Sequence, residues 1–277
     1  MGHRSRPRWW SASAGVAVLA LLAMLLLVDV LRPGGGNGVP AEKGTVQAAL
    51  PEAGPCARLN AGQVAYPAHG ARRVTFATAA AYGESRVLIT GCARTARGYI
   101  QEWQATGFAG VSGFAPPGQM WEDTGYSPVG SFTFTEALGR ADPGTALEYH
   151  TINRRSRWGG EHGPTYNQYF EGRGGRADEN LWHYMRQGHY EQAAVINWNR
   201  EPDMPTVQGA SYAIFLHTGN SVTVGCISTD LDTVTTLLRT AVPGDRIIMG
   251  VEPDVFAAPA TAATNPATPP PSPPAGL

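Results

Sequence analysis

Short apolar runs rich in β-branched and aromatic side chains recur between glycines and prolines along the chain, at residues 85–90, 99–106, 131–135, 194–198, 213–217 and 246–250. Runs of this length and composition predict strands. Helical spacing is scarce. It is clearest over 230–240, where Leu231, Val234, Leu237 and Leu238 fall on one face and Ser228 or Thr229 is placed to cap the first turn. A second, weaker helix is expected over 178–185. Many short strands with few helices predict a mostly β domain, a sandwich or barrel with a few short helices.

The ends of the chain follow other patterns. Residues 11–28 are apolar and free of charge, and Arg4, Arg6, Arg8, Trp9 and Trp10 precede them. This reads as an export segment over 1–30, either a cleaved signal peptide or a retained anchor. The anchor is preferred, because the small-residue pattern at Val39 and Ala41 lies far from the apolar run for a cleavage site. Basic residues stay on the cytoplasmic side, so the remainder is expected outside the membrane, tethered to it or secreted to the wall. Residues 31–55, which include Pro33 and the glycines that follow it, read as a flexible linker. Residues 257–277, dominated by Pro, Ala and Thr, read as a disordered tail. One folded domain over 56–256 is left.

Of the 277 residues, 43% are apolar, enough for a real core, and the formal net charge of −1 offers no basic field for nucleic acid. Export gives the three cysteines a meaning, since disulfides persist outside the cytoplasm. Cys56 and Cys92 are the natural pair, which leaves Cys226 as a reactive thiol, an intermolecular bridge or a buried inert thiol.

The surroundings of Cys226 favour reactivity. An apolar run from Ala213 to Leu216 predicts a strand that ends at His217, a short polar loop containing Gly219 follows, and Gly225-Cys226 then precedes the helix expected at 230. The loop is short enough to return the thiol toward the imidazole. A histidine within reach accepts the thiol proton, and a nearby helix N-terminus favours the thiolate. Gly225 leaves room for a substrate carbonyl beside backbone N–H groups that could form an oxyanion hole. Thr223 and Ser228, on either side of the cysteine, are candidate substrate contacts.

The order His217, loop, Thr223-Val224-Gly225-Cys226 resembles the signature of the YkuD-type L,D-transpeptidase domain. Tyr126-Ser127-Pro128-Val129-Gly130-Ser131-Phe132, Thr165-Tyr166-Asn167, Ile196-Asn197-Trp198-Asn199 and the run from Arg246 to Gly250 are similar to segments of its exported branch in GC-rich bacteria. The resemblance implies that 56–256 is a catalytic domain of the L,D-transpeptidase-like β fold. It implies a Cys226 acyl-enzyme, peptidoglycan stem peptides as substrate, carbapenem-type inhibitors, and neither a metal nor an organic cofactor. His217 would serve as general base and then general acid, with the carbonyl of Thr218 or Gly219 holding its other ring nitrogen. Two positions depart from the usual pattern: Val224 stands where many members carry a second histidine, and Ser228 where Arg or Asn is common. Water as acceptor, giving a carboxypeptidase or endopeptidase, and a non-catalytic envelope-binding module are the alternatives.

Other polar and aromatic groups read as structural. Arg154, Arg155 and Arg157 suit a solvated loop better than a carboxylate clamp, and Tyr149, Trp158, Tyr166 and Trp182 suit a core. Asn167 and Asn199 suit buried backbone pairing. His150, His162, His183 and His189 show no His-Glu-x-x-His spacing for zinc. A papain-like order, with the cysteine ahead of its histidine, is absent.

Overall fold

Successive side chains of a strand point to opposite faces, and where both faces are covered, as over 192–196 and 246–251, nearly the whole strand is apolar. The structure, a computed structural model, describes residues 53–257. The expected export segment, nearly all of the linker and all but the first residue of the tail lie outside the described residues. No helix among the described residues is long and apolar enough to cross a membrane.

The chain opens with α1 (Pro55–Asn60) and then forms β1 (Arg73–Ala79), β2 (Arg86–Thr95), β3 (Gly98–Phe108) and β4 (Gly130–Gly139). Four short strands follow: β5 (Glu148–Thr151), β6 (Ser156–Trp158), β7 (Tyr169–Glu171) and β8 (Glu179–Asn180). After α2 (Leu181–Arg186) come β9 (Gln192–Ile196), β10 (Phe215–Thr218), β11 (Ile227–Thr229), α3 (Leu231–Thr240), β12 (Arg246–Val251) and α4 (Glu252–Val255). The main sheet runs β12-β1-β2-β3-β11-β10-β9-β4, and β4 also pairs with β12, which closes an eight-stranded barrel. β5 adds to β4 in parallel where β4 has passed beyond β12. A separate small sheet, β7-β6-β8, lies outside this wall.

The closing seam is held by more than its ladder. Asp203 accepts from the Thr133 N–H (2.5 Å) and hydroxyl (3.1 Å), and lies 3.5 Å from the Arg246 guanidinium. Arg246 also donates to the Ser131 hydroxyl and carbonyl, both at 2.8 Å. The charges are buried, paired with each other and hydrogen-bonded to Thr133 and Ser131, the condition under which buried charge is tolerated.

Alternation divides the apolar residues into three cores. Ala77, Ile89, Phe132, Phe134, Leu216, Ile227, Ile247 and Met249 point into the barrel, where Val234, Leu237 and Leu238 of α3 join them. Val74, Phe76 and Ile248 point outward beneath α1 and α4. Leu138, Ala193, Val195 and Phe215 point outward on another side, against Trp158 of β6 and Leu181 and Met185 of α2. At the β2–β3 bulge Gly91 lies under Trp103, and a Cβ there would sit 2.2 Å from the indole.

The mostly β class is as expected, and each anticipated strand is present with shifted ends. The anticipated helices are shorter. α3 begins at Leu231, with Asp230 as its cap accepting from the Thr233 N–H (2.8 Å), so Ser228 and Thr229 do not cap it and belong instead to β11. Leu231 stays 43% exposed. The helix expected from 178 starts at Leu181, since Glu179 and Asn180 pair with β6 and Asn180 then caps α2.

Cys56 of α1 and Cys92 of β2 form a disulfide, Cα–Cα 5.7 Å, across a sequence separation of 36. A loop of that size, closed in the unfolded chain, is worth about 3–4 kcal/mol in the chain-entropy account. A Cys56→Ser/Cys92→Ser variant is expected to lose roughly that much in urea unfolding, with the barrel still formed by circular dichroism.

Candidate functional site

β10 and β11 are neighbouring parallel strands, with Leu216 opposite Ile227 and His217 opposite Ser228. Leu216 and Ile227 both point into the barrel, so by alternation His217 and Cys226 share the outer face with Phe215. Cys226 is 8% exposed and His217 6%. Both lie in the outer core beneath the small sheet and α2, with Cys226 among Tyr190, Phe215 and Trp158 and His217 against Tyr190.

His217 is held firmly. Its Nδ1–H donates to the carbonyls of Thr218 (2.8 Å) and His189 (3.1 Å), and two acceptors at one nitrogen fix the tautomer with the proton on Nδ1. Nε2 carries the lone pair and has no hydrogen-bond partner among the described residues. Tyr190 packs edge-on against the imidazole with centroids 5.1 Å apart. Burial depresses the imidazolium, bringing its pKa to about 4, and neighbouring His189 adds to the depression against the two backbone bonds. The ring is therefore neutral at pH 7, as a base must be.

Cys226 is a thiol, not a thiolate. Its S–H donates to the Ala213 carbonyl at 3.1 Å, and its sulfur accepts from the Phe215 N–H at 3.4 Å. Burial pushes the thiol pKa well up, and the negative charge of Glu179 pushes it further. The expectation of helix-dipole support is corrected: β11 stands between Cys226 and α3, so the thiol opens a strand rather than a helix. No hydrogen bond joins Sγ to His217.

The loop residues are occupied with one another. Thr223 Oγ1 donates to the Cys226 carbonyl (2.7 Å) and accepts from the Gly225 N–H (3.1 Å). Ser228 is buried and donates to the Ser221 carbonyl (2.7 Å). Both expected substrate contacts thus shape the loop instead, and the Gly225 N–H is not free for an oxyanion. Gly225 does keep a tight passage, since a Cβ would lie 3.1 Å from Ile214 and from the Tyr126 carbonyl. Gly219 takes no part in orienting His217; its N–H joins the Thr229 carbonyl at 2.7 Å. Val224 is 80% exposed on the outside of the loop.

Several residues important here had not been singled out. Ser127 is fully buried and donates to the Gly225 carbonyl at 2.7 Å while accepting from the Gly110 N–H at 2.9 Å, which ties the Gly-Cys step to the β3–β4 connection. Tyr190 and Glu179 also border the site, with the tyrosine hydroxyl donating to the carboxylate. Ser127 lay within a quoted family-like segment, but Tyr190 and Glu179 carried no local signal.

Asn167 and Asn199 are both buried in the left-handed region, at φ 56° and 54°, and both satisfy backbone groups. Asn167 Oδ1 accepts from Trp158 Nε1 (2.9 Å) and the Ala213 N–H (3.1 Å), and its Nδ2 donates to the carbonyls of Trp198 (3.0 Å) and Asn199 (2.9 Å). Trp158 and Tyr166 fill cores, while Arg157 turns to the Arg154 and Ser156 carbonyls. His150 pairs with Glu136 at 3.0 Å. Among the described residues no group of three His, Cys, Asp or Glu side chains is placed to hold a metal ion.

Compared with known proteins, the chain matches no family model and no curated sequence.

Two outcomes are expected. Asn167→Ala orphans four buried groups and is expected to destabilise the domain by about 3 kcal/mol or more in urea unfolding. The second concerns pH. A His217 pKa below its unfolded value contributes stability that is complete above about 6.5 and is lost as pH falls toward 4. Between pH 7 and 4.5 this amounts to about 2–3 kcal/mol. Glu179, raised by burial to about 7, acts oppositely, its contribution being complete below about 4.5 and lost as pH rises toward 7. The His217 share is therefore read from the difference between wild type and His217→Gln across that window.

Proposed function

We propose that this chain is an extracytoplasmic cysteine acyltransferase, an L,D-transpeptidase acting on peptidoglycan stem peptides, with Cys226 as nucleophile and His217 as base. The observation that carries the reading is the shared face: a neutral imidazole with Nε2 unengaged beside a lone thiol across two parallel strands. The residue pattern around them, similar to the YkuD-type domain, supplies the substrate class. The apolar segment within 1–30 supplies export and a tether.

The chemistry starts from a neutral pair. Rotation about the Cys226 side chain takes the S–H from the Ala213 carbonyl toward His217 Nε2, which accepts the proton as sulfur attacks the carbonyl after the third stem residue. The C–N bond breaks, the terminal D-alanine leaves, and its nitrogen takes the proton from Nε2. The amine of a neighbouring stem then attacks the thioester, gives a proton to Nε2, and releases the thiol, which takes that proton back. The Thr218 and His189 carbonyls stabilise the imidazolium formed in each half. With water in place of the second amine the same residues give a carboxypeptidase.

A second reading, a non-catalytic envelope-binding module, is favoured by the buried thiol turned toward Ala213. The test separates them. The soluble region is incubated with a carbapenem, and separately with a disaccharide tetrapeptide, and its intact mass and products are followed. Expected are one covalent carbapenem adduct and D-alanine release, both abolished in Cys226→Ala, with acylation slowed about 10²-fold or more in His217→Ala. Cross-linked dimer supports transfer, and tripeptide alone supports hydrolysis. If neither adduct nor D-alanine forms with a confirmed reduced thiol, the enzyme reading is abandoned.

A further inference from the structure

Several carboxylates of this domain are matched by a cation. Glu136 meets His150 and Arg200, Glu191 meets Arg140, Asp203 meets Arg246, and Glu102 meets Arg73. Glu179 differs. Its Oε1 accepts the Tyr190 hydroxyl, and among the described residues no cation pairs with it and no second hydrogen bond reaches it. Unmatched charge at such a partly covered position is unfavourable unless something completes it.

Its place makes that gap meaningful. Tyr190, which orients Glu179, stands edge-on to His217 (5.1 Å) and to Phe215 (5.6 Å), and shares the outer core with Cys226. The groups gathered around the thiol are Glu179 from β8, Tyr184 from α2, His189 and Tyr190 ahead of β9, Tyr212 ahead of β10, and His217 within it. None is an arginine or lysine. Arg157, across β6 from Asn180, is engaged by the Asn180 side chain and two carbonyls. Burial raises the pKa of Cys226, Tyr184, Tyr190 and Tyr212, and the negative charge of Glu179, uncompensated by a neighbouring cation, raises all four further.

We propose that the Glu179 carboxylate, oriented by Tyr190 beside His217 and Cys226, is the counter-charge for an ammonium group of the substrate, and that binding this cation cancels the uncompensated negative charge near the thiol. The inference rests on the reading of Cys226 as nucleophile. Oε2 is the acceptor left for the ammonium. Burial brings Glu179 to about 7, so the free site is only partly ionised near neutrality. A bound cation completes that ionisation and makes the pair neutral toward sulfur. Transfer of the thiol proton to His217 then becomes easier only when substrate is present, which protects an exported thiol from idle oxidation.

The test uses alkylation of the full chain by iodoacetamide, followed by intact mass between pH 6 and 10. The Cys56–Cys92 disulfide leaves Cys226 as the only thiol. Wild type, Glu179→Gln and Tyr190→Phe are compared in ethylammonium chloride and in sodium chloride at the same concentration. Glu179→Gln keeps an acceptor for Tyr190 and is expected to react about tenfold faster at pH 8, equivalent to a downward shift of about one pH unit. Ethylammonium is expected to accelerate wild type beyond sodium chloride and to leave Glu179→Gln unchanged. Tyr190→Phe keeps the charge and is expected to react no faster than wild type. Equal rates for wild type and Glu179→Gln overturn the proposal, as does equal acceleration of both by ethylammonium. A Tyr190→Phe variant as fast as Glu179→Gln assigns the effect to loosened packing and also overturns it. Should Glu179→Gln not fold, the ethylammonium response of wild type decides alone. Alkylation requires no stem peptide, so failure here is distinct from failure to release D-alanine.

Discussion

Asn167 uses all four of its side-chain hydrogen bonds, and they reach three parts of the molecule: the indole of β6, the N–H ahead of β10, and two carbonyls following β9. A side chain that offers two acceptor sites and two donors on one rigid amide is well suited to such a junction. Its backbone sits at φ 56°, a region that asparagine tolerates better than most residues. Through Ala213 the junction reaches the site directly. The N–H of Ala213 is held by Asn167 and its carbonyl receives the Cys226 thiol. The small sheet, the barrel wall and the Cys226 thiol are thus linked through one buried amide.

The same covering of the wall sets the protonation states. Desolvation opposes charge of either sign, so it raises the thiol and lowers the imidazole, and the pair rests as S–H and neutral ring. Such a pair differs from a preformed thiolate–imidazolium. It leaves the imidazole unprotonated and the proton on sulfur. Neither the helix-dipole nor a direct thiol–imidazole bond contributes to this arrangement, because β11 separates Cys226 from α3 and the S–H is turned to Ala213.

Precision in the loop comes from hydroxyl groups bonded to backbone. Ser127, Thr223 and Ser228 each close a bond to backbone around 221–226. Their hydroxyls are consumed in holding the Gly-Cys step at the mouth of β11, while Thr218 and His189 hold the imidazole. Both residues are thus held in place by bonds to backbone carbonyls and from neighbouring hydroxyls.

The mostly β character, α3 and the singular status of Cys226 were legible from local pattern, because apolar runs between turn residues and a 3.6-residue period depend only on neighbours in the chain. His217 and Cys226 stood out for the same reason, lying on either side of one short loop. The short strands β5 to β8 were not legible, since residues such as Glu179 and Asn180 become a strand only by pairing with β6. The cap at Asp230 and the shortened helices likewise waited on what β11 and β8 had already claimed. Only the tertiary structure decided that the wall closes through β4 and β12, that Tyr190 and Glu179 border the thiol, and that the pair rests uncharged. Proximity across distant segments and loss of water are properties of the packed chain, and residue order alone carries neither.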